Sequence, residues 1–351
     1  MNQNRFEKII VDADKYLITA AKSVQEDYVE ITCNRTGKTL EFSGVQAFWG
    51  KTKKLSGEAL KWVEFLWGDV PEDKLKEFTV TPKSRLRDDI EDHLEEALKQ
   101  FSYNVSSIKK LDYSDKYTLC LGGEGNFRYD IAKILPYKGK RLEKPIVFED
   151  LKEKVFSQYK NKLDISNGYE SDDKMGMYAA ENQAHFRETG QYKYLLAFCD
   201  KDLKQLWGPW VNIDRLEEGL QKITPLEACH HFCYQMLKGD KTVDNIQGLP
   251  DLAPETKTRY KLRNVRGCGD VAASAILEGC STPKELLTKV VEEYKAYYNE
   301  PTTFISDSDG VEYTYTWKDY LNENFSLLWM KRSESDERSM FDLMYELGVR
   351  Y

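Results

Sequence analysis

The sequence predicts an α/β fold: a central, mainly parallel sheet flanked by helices. Short apolar runs rich in branched residues occur at 8–11, 117–121 and 194–199, each too short for a helix. They stop abruptly, at Asp12, at Gly122 with Gly123, and at Asp200. Helical periodicity fills the stretches between them, and strands that alternate with helices pair in parallel, because a parallel neighbour needs a long crossover. Parallel sheets bind ligands beyond the carboxyl ends of their strands, so Asp12 and Asp200 would share one working edge.

Between the first two runs, residues 22–87 read as an elaboration. Residues 29–42 alternate around Asn-Arg-Thr-Gly-Lys, a hairpin pattern. Residues 59–67 form an aromatic-rich helix whose Trp62, Phe65 and Trp67 are expected in the core of the elaboration, with base stacking as the alternative. Residues 88–101 place Ile90, Leu94, Ala97, Leu98 and Phe101 on one helical face. Helices are also expected at 145–165, 215–238 and 271–277, and a basic surface loop at 252–266. Residues 304–317 read as a hairpin turning at Ser308, Asp309 and Gly310. The Asp-Ser-Asp-Gly run there is a turn and not a calcium loop, because Lys318 stands where a bidentate Glu is needed.

With 351 residues, 41% hydrophobic and 31% charged, the chain suits a soluble globular protein of two or three domains. No apolar run approaches a membrane span, and the first residues lack the apolar stretch of a secretory leader. Seven cysteines without framework spacing suggest reduced thiols in a cytoplasm. A net charge of −8 argues against a protein that coats nucleic acid. Two basic islands run the other way. Arg128, Lys133, Lys138, Lys140, Arg141 and Lys144 face only Asp130 and Glu143 within 128–144. Lys257, Arg259, Lys261, Arg263 and Arg266 lie in an acid-free stretch at 257–266. Basic islands in an acidic chain fit a polyanion-binding enzyme, and solvated loops are the plainer reading of either alone.

Acidic clusters recur along the chain: Asp12 with Asp14; Glu170, Asp172 and Asp173 around an N-capping Ser171; Asp200 with Asp202; and Asp240 with Asp244, which a helix would place on one face. Two like charges 4 Å apart repel by roughly 1–4 kcal/mol at surface-like dielectric. Gathering these acids therefore calls for cations, and hard divalent ions with oxygen ligands are the natural ones. A carboxylate site for paired metals points to phosphodiester chemistry. Other chemistries are less well supported. Cys229, His230, His231 and Cys233 lack a second ligand pair for zinc. The glycine-rich 121–126 stretch is followed by no Gly-Lys-Ser/Thr, and no Ser/His/Asp arrangement stands out.

The order of these motifs resembles the flap endonuclease / 5′–3′ exonuclease superfamily, most closely its bacteriophage branch. Val-Asp-Ala-Asp (11–14) is similar to its first metal strand, and Asn-Phe-Arg-Tyr-Asp (126–130) with Tyr-Lys-Gly-Lys-Arg (137–141) to its substrate-gripping helix. Glu-Ser-Asp-Asp (170–173) and Cys-Asp-Lys-Asp (199–202) match its next acidic motifs. Residues 239–250 and 266–275 resemble the two parts of its helix–three-turn–helix element, and 320–330 is a weaker match to the phage members' ends. The resemblance covers about 1–20 and 117–285.

The resemblance implies a nuclease core over 1–237, with 22–87 as the elaboration. It further implies a helix–hairpin–helix DNA-binding region over 238–299 and a C-terminal hairpin and helix over 300–351. Asp12, Glu170, Asp172 and Asp173 would surround one metal ion, and Asp200, Asp202, Asp240 and Asp244 a second, with Asp14 in an outer position. Lys138 and Arg141 would meet the scissile phosphate as catalytic residues. Arg128, Lys140, Arg266, Gly267 and Gly269 would grip DNA. The cofactor implied is Mg²⁺ or Mn²⁺, two or more ions, with a K⁺ ion at the helix–hairpin–helix element. The chain departs from the family in three places. Gly122 and Gly123 stand where an acid is usual, with Glu124 the only substitute. Asp240 and Asp244 lie one residue further apart than the usual pair, and an insertion at 251–264 splits the hairpin.

The implied function is divalent-metal-dependent hydrolysis of DNA from or near a free 5′ end, by exonuclease or flap cleavage, including RNA-primer removal. The partner is duplex, nicked or flapped DNA, bound by a monomer in the (host) cytoplasm and not at a membrane. The alternatives are a non-catalytic DNA-binding homologue with a degraded metal site, motivated by Gly122 and Gly123, and an RNase of the PIN-like fold.

Overall fold

The computed structural model describes residues 6–50, 57–67, 77–141 and 143–350. The stretch expected to lack a leader (1–5), parts of the 22–87 elaboration (51–56 and 68–76) and the Trp67 side chain lie outside the described residues. The chain forms two compact units. One comprises Met1–Lys15, Ser106–Glu143 and Tyr159–Tyr351, and the other Tyr16–Val105 and Lys144–Gln158.

Strand β1 (Lys8–Asp12) is buried almost throughout, and helix α1 (Asp14–Ser23) follows it directly. The second unit continues with β2 (Gln25–Cys33), β3 (Thr39–Phe42), α2 (Val45–Trp49), α3 (Gly57–Trp67), β4 (Phe78–Leu86) and α4 (His93–Lys109). β2 pairs antiparallel with β3, Val29 opposite Phe42, and this is the expected hairpin. β4, which no alternation announced, completes a sheet of order β3-β2-β4. Phe42, Phe48, Trp49 and Phe78 pack beneath it with partly buried Trp62. Phe65, expected in that core, is 74% exposed, with the Lys38 ammonium over its ring. The helix expected at 88–101 starts only at His93, because the Asp92 carboxylate accepts the Glu95 amide and caps it there. Ile90 therefore stands outside the helix, which runs on to bury Val105 and Ile108.

The chain then forms β5 (Tyr117–Gly122), α5 (Arg128–Ile131), α6 (Phe148–Gln158, in the second unit), β6 (Leu163–Ser166), α7 (Ser171–Thr189) and β7 (Tyr194–Phe198). Next come β8 (Gly208–Asn212), β9 (Gln221–Ile223), α8 (Pro225–Lys238), α9 (Pro254–Arg259), α10 (Asp270–Leu277) and α11 (Pro283–Tyr297). β10 (Thr302–Ile305), β11 (Glu312–Tyr315), α12 (Trp317–Leu328) and α13 (Met340–Glu346) end it. The main sheet has the order β6-β5-β1-β7-β8-β9, parallel except for the β8–β9 edge. The α/β fold with a mainly parallel sheet is therefore present.

Several expected elements differ. The helix expected over 145–165 ends at Gln158, and β6 follows. β6 is hard to read because it carries Asp164, whose carboxylate takes the Tyr178 hydroxyl at 2.9 Å. Residues 215–238 are not one helix. β9 comes first, and α8 starts where Thr224 and Glu227 cap each other around Pro225. The loop expected at 252–266 contains α9, with Leu252, Ala253, Thr256 and Leu262 buried. The stretch 126–141 holds one helical turn, α5, and then turns, with Lys138 in left-handed backbone at φ 56°. Asp240 and Asp244 share no helix face. They lie in a turn closed by an antiparallel bridge between Asp240 and Ile246. Gly239 and Gly248, both at positive φ, back onto each other too closely for any side chain.

α8, α10, α11, α12 and α13 enclose a helical core that includes Phe232, Met236, Leu249, Leu286, Tyr294 and Phe325. Tyr298 stacks on Tyr320 with centroids 3.8 Å apart. α7 presses the C-terminal segment so tightly at Gly176 that a Cβ there would collide with the Lys331 carbonyl. Helix propensity alone favours Gly176→Ala by about 1 kcal/mol. We expect the opposite sign, a loss of about 1–3 kcal/mol in urea unfolding, because overpacking against backbone outweighs propensity. A stabilised variant would show that α7 and the 329–332 segment are not in this contact.

Candidate active site

The chain leaves β1 for β5 and β6 on one side, then returns through α7 to β7 on the other. This reversal opens a crevice at the carboxyl ends of β1 and β7. Asp12 ends β1, Asp200 lies just past β7, and the first turn of α7 brings Glu170 and Asp172. Burial, together with the charges of Asp14 and Asp200, pushes the Asp12 carboxyl well above the usual range. Burial and the charges of Asp12, Asp200 and Glu170 do the same to Asp172. Asp202, opening a single 3₁₀ turn, is raised to about 7 by burial and then by Asp200. Asp244 is raised by burial, against the pull of Lys138, with Glu170 adding to it. These mutual effects put Asp12, Glu170, Asp172, Asp200, Asp202, Asp240 and Asp244 in one electrostatic neighbourhood.

Two lysines thread through it. Lys138 donates to Glu170 and lies 3.9 Å from Asp244. Lys201 donates to Asp240 at 2.8 Å and lies 4.0 Å from Asp202. Each ammonium thus links an acid of the sheet edge to an acid of the 240–244 turn. Glu170 also accepts from Asn126 at 2.8 Å and Tyr137 at 3.0 Å. Burial opposes its ionisation, but the Lys138 and Arg128 cations win and hold it below its ordinary value. Asp240 accepts from the amides of Thr242 and Val243, and Lys201 helps hold it low against burial.

Among the described residues, no three His, Cys, Asp or Glu side chains already converge as a metal-ligand group. The donor set nonetheless fits a cation. The Oδ1 atoms of Asp12 and Asp244 are buried without a hydrogen-bond partner. Buried acceptors in that state cost about 1–3 kcal/mol each, more when charged. A hard cation would satisfy them and lower the raised carboxyls together.

Two residues expected in the site are bonded to each other inside the fold. Asp173 is not a free metal ligand. It is fully buried, and both its oxygens are taken by Arg128 at 2.7 and 2.9 Å, the Glu170 amide at 2.9 Å and the Lys331 amide at 2.9 Å. Arg128, expected to grip DNA, points into the protein. It is 2% exposed, and its remaining donors reach the Leu327 and Trp329 carbonyls. The pair is an internal clamp from α7 to the C-terminal segment. Asp14 stands one layer out, accepting from the Gly122 amide at 3.0 Å and the Ser171 hydroxyl at 2.6 Å. Gly122 thereby serves the site through its backbone. Ser171 is the first residue of α7, with Glu170 as the cap.

Glu124 is exposed in the loop after β5. Arg141 is half exposed, 3.6 Å from Asp244. Lys140 is exposed, with Nζ 3.5 Å from the Lys241 carbonyl. Arg266 is exposed, and Gly269 caps α10. Gly267, expected to offer its amide to phosphate, donates it to Asp251 at 3.1 Å instead. Sequence reasoning missed Gln235, which donates to Asp202 at 2.6 Å, and the counter-ion role of Lys201. Lys201 could have been suspected from its place between two acids. Nothing local marks Gln235, whose partner is remote in sequence.

No protein-family model matches the chain, and no curated protein matches it. Solved structures do. A bacteriophage T5 flap endonuclease variant, in a pseudo-enzyme–product complex with DNA and metal ions, is 15% identical with a TM-score of 0.33, covering 66% of this chain and 90% of that one. A mutant of the T5 5′-exonuclease is 12% identical with a TM-score of 0.31, covering 66% of this chain and 93% of that one.

The clamp predicts that Arg128→Ala lowers stability by about 3–5 kcal/mol without any nucleic acid present, because it strands a buried carboxylate. Thermal melts check this. A variant with unchanged stability and only weakened DNA binding would return Arg128 to the surface role. A second test uses pH. The raised Asp202 carboxyl keeps its proton in the folded state to about 7, whereas the unfolded chain releases it near 4. The unfolded state then binds fewer protons over that window, so the contribution of Asp202 is present at low pH and lost as pH rises. Melting temperature of metal-free protein should fall between pH 5 and 8. Asp202→Asn should flatten the fall by on the order of 2 kcal/mol. A wild-type curve that rises over the same range contradicts the crowding.

Proposed function

We propose that this chain is a divalent-cation-dependent nuclease that hydrolyses DNA phosphodiesters from or near a 5′ end. The observation that carries the reading is the meeting of acids from four separate chain segments at one sheet edge, beside Lys138 and Arg141. Structural acids are ordinarily bonded one by one, as Asp173 is. Here Asp12 and Asp244 retain buried oxygens with no hydrogen-bond partner, which suits a cation-holding role. The 5′ polarity rests on the order of the motifs.

Asp12, Asp172 and Asp200 would hold one ion, and Asp202 and Asp244, with Asp240 beside them, a second. A bound divalent ion supplies Lewis acidity, lowers the pKa of water and meets charge on phosphate oxygens. The chain's own residues do the rest. Lys138 presents a point charge and Arg141 a planar fork, suited to a phosphate whose charge grows in the transition state. Asn126 and Tyr137 hold Glu170 still, so that Lys138 can turn from it to substrate without the carboxylate following. Asp14 and Ser171 fix the end of β5 against the start of α7, which sets the spacing of the acids around Asp172.

A second reading has its own observation: Gly122 and Gly123 leave no acid at the end of β5, where the family motif carries one. On that reading the protein binds DNA without cutting it.

A 5′-labelled duplex incubated with Mg²⁺ or Mn²⁺ decides between them. We expect cleavage that a chelator abolishes, and at least about a hundredfold loss in Asp172→Asn with DNA binding kept. Tight binding with no cleavage under either ion favours the second reading. Cleavage that persists under full chelation ends the first.

A further inference from the structure

We infer that Gln235 is a positioning residue for the second divalent ion, acting through Asp202: its amide fixes one edge of that carboxylate and leaves the other to the ion. The inference rests on the reading of Asp202 as an ion-holding acid, and on the following geometry for the rest.

Gln235 lies on α8, 33 positions from Asp202 in sequence. The helix is a firm platform. Thr224 and Glu227 cap its start, Phe232 and Met236 are buried in the helical core, and the Tyr294 hydroxyl donates to the Met236 carbonyl at 2.7 Å. The turn that opens at Asp202 packs against this helix. There the Gln235 Nε2 donates to Asp202 Oδ1 at 2.6 Å, and Lys201 Nζ stands 4.0 Å from the same oxygen. Among the described residues no hydrogen bond reaches Asp202 Oδ2, so the carboxylate is held by one edge with the other open. The Asp202 amide in turn donates to Asp200 Oδ1 at 2.8 Å. One glutamine therefore ties two acids of the site, through the 200–202 turn, to a buried helix.

A purely structural role explains Gln235 poorly. The side chain is 6% exposed, on a stretch of α8 whose next residues, Met236 and Leu237, are apolar core. An apolar residue of similar size would pack there with no polar atom to satisfy. Gln235 instead buries an Oε1 that has no hydrogen-bond partner. The two ends of an amide are neighbours, so this acceptor stands beside the Asp202 carboxylate, where a water carried by an ion would supply the missing donor. An amide suits the place because it donates to the carboxylate without adding another negative charge to the acids gathered there. Groups that orient a metal ligand in this way set metal affinity without touching the metal.

The test uses Mn²⁺ alone, with no DNA, and follows ion binding by electron paramagnetic resonance of the free metal. Gln235→Met, similar in volume but without a donor, should weaken one of the two ions about ten- to a hundredfold and leave the other unchanged. In an Asp202→Ala background the same substitution should change nothing further, because the bond it removes is already gone. The metal-free Gln235→Met protein should melt no lower than the wild type, since it no longer buries an unpartnered oxygen. Unchanged Mn²⁺ affinities, an equal loss at both ions, or the same loss with the Asp202 carboxylate absent overturns the role. A wild type that binds Mn²⁺ as described but never cleaves DNA sinks the nuclease reading and leaves Gln235 in place. A wild type that cleaves, while Gln235→Met holds both ions normally, does the reverse. If Gln235→Met does not fold, Gln235→Leu carries the same cycle.

Discussion

Mutual repulsion among carboxylates at one end of a parallel sheet is the constraint on which this structure turns. The topology causes it. Reversal of strand order at β1 opens the crevice, and the crossover helix α7 delivers its acidic first turn there. Burial denies these groups the water that would otherwise screen them, so Asp12 and Asp172 are pushed far from their ordinary ionisation. The arrangement stands because cations are threaded through it, and because Lys138 and Lys201 each span from the sheet edge to the 240–244 turn.

The acids are not equivalent, and the difference lies in their partners. Asp173, deepest of them, is saturated by a forked guanidinium and by backbone amides, which makes it a strut. Asp14 spends its oxygens joining β5 to α7. Asp12 and Asp244 keep a buried oxygen with no hydrogen-bond partner, the Asp244 one meeting only the distant charges of Lys138 and Arg141. Struts keep α7 in register with the sheet and with the C-terminal segment. Only on that frame can the unsatisfied oxygens stay where they are, since each would relax toward water if the frame moved.

Much of the frame was legible. The apolar runs at 8–11, 117–121 and 194–199 were strands, because short branched runs ending in Asp or Gly suit buried parallel strands and little else. β6 and β9 were not legible. They are short, part polar and partly exposed, so they carry almost no period of their own and exist because a neighbouring strand offers hydrogen bonds. The start of α4 depended on which of several acids became the cap, a choice the Asp92 carboxylate made locally. The Asp240 and Asp244 pair misled for a different reason. Spacing by four fits a helix, but Gly239 and Gly248 are pressed together and close a turn there instead.

What the sequence determined by itself is the list of acids, their order along the chain, and the strand ends that bear Asp12 and Asp200. Local composition and period suffice for these, since each is a property of a few adjacent residues. Tertiary structure alone decided which carboxylates are spoken for. Arg128 and Asp173 lie 45 positions apart, Lys201 and Asp240 39, and Gln235 and Asp202 33. Whether an ionised oxygen is paired or left bare depends on groups that meet only after folding. That pairing, more than residue type, separates an acid that holds the fold together from one that is free to hold an ion.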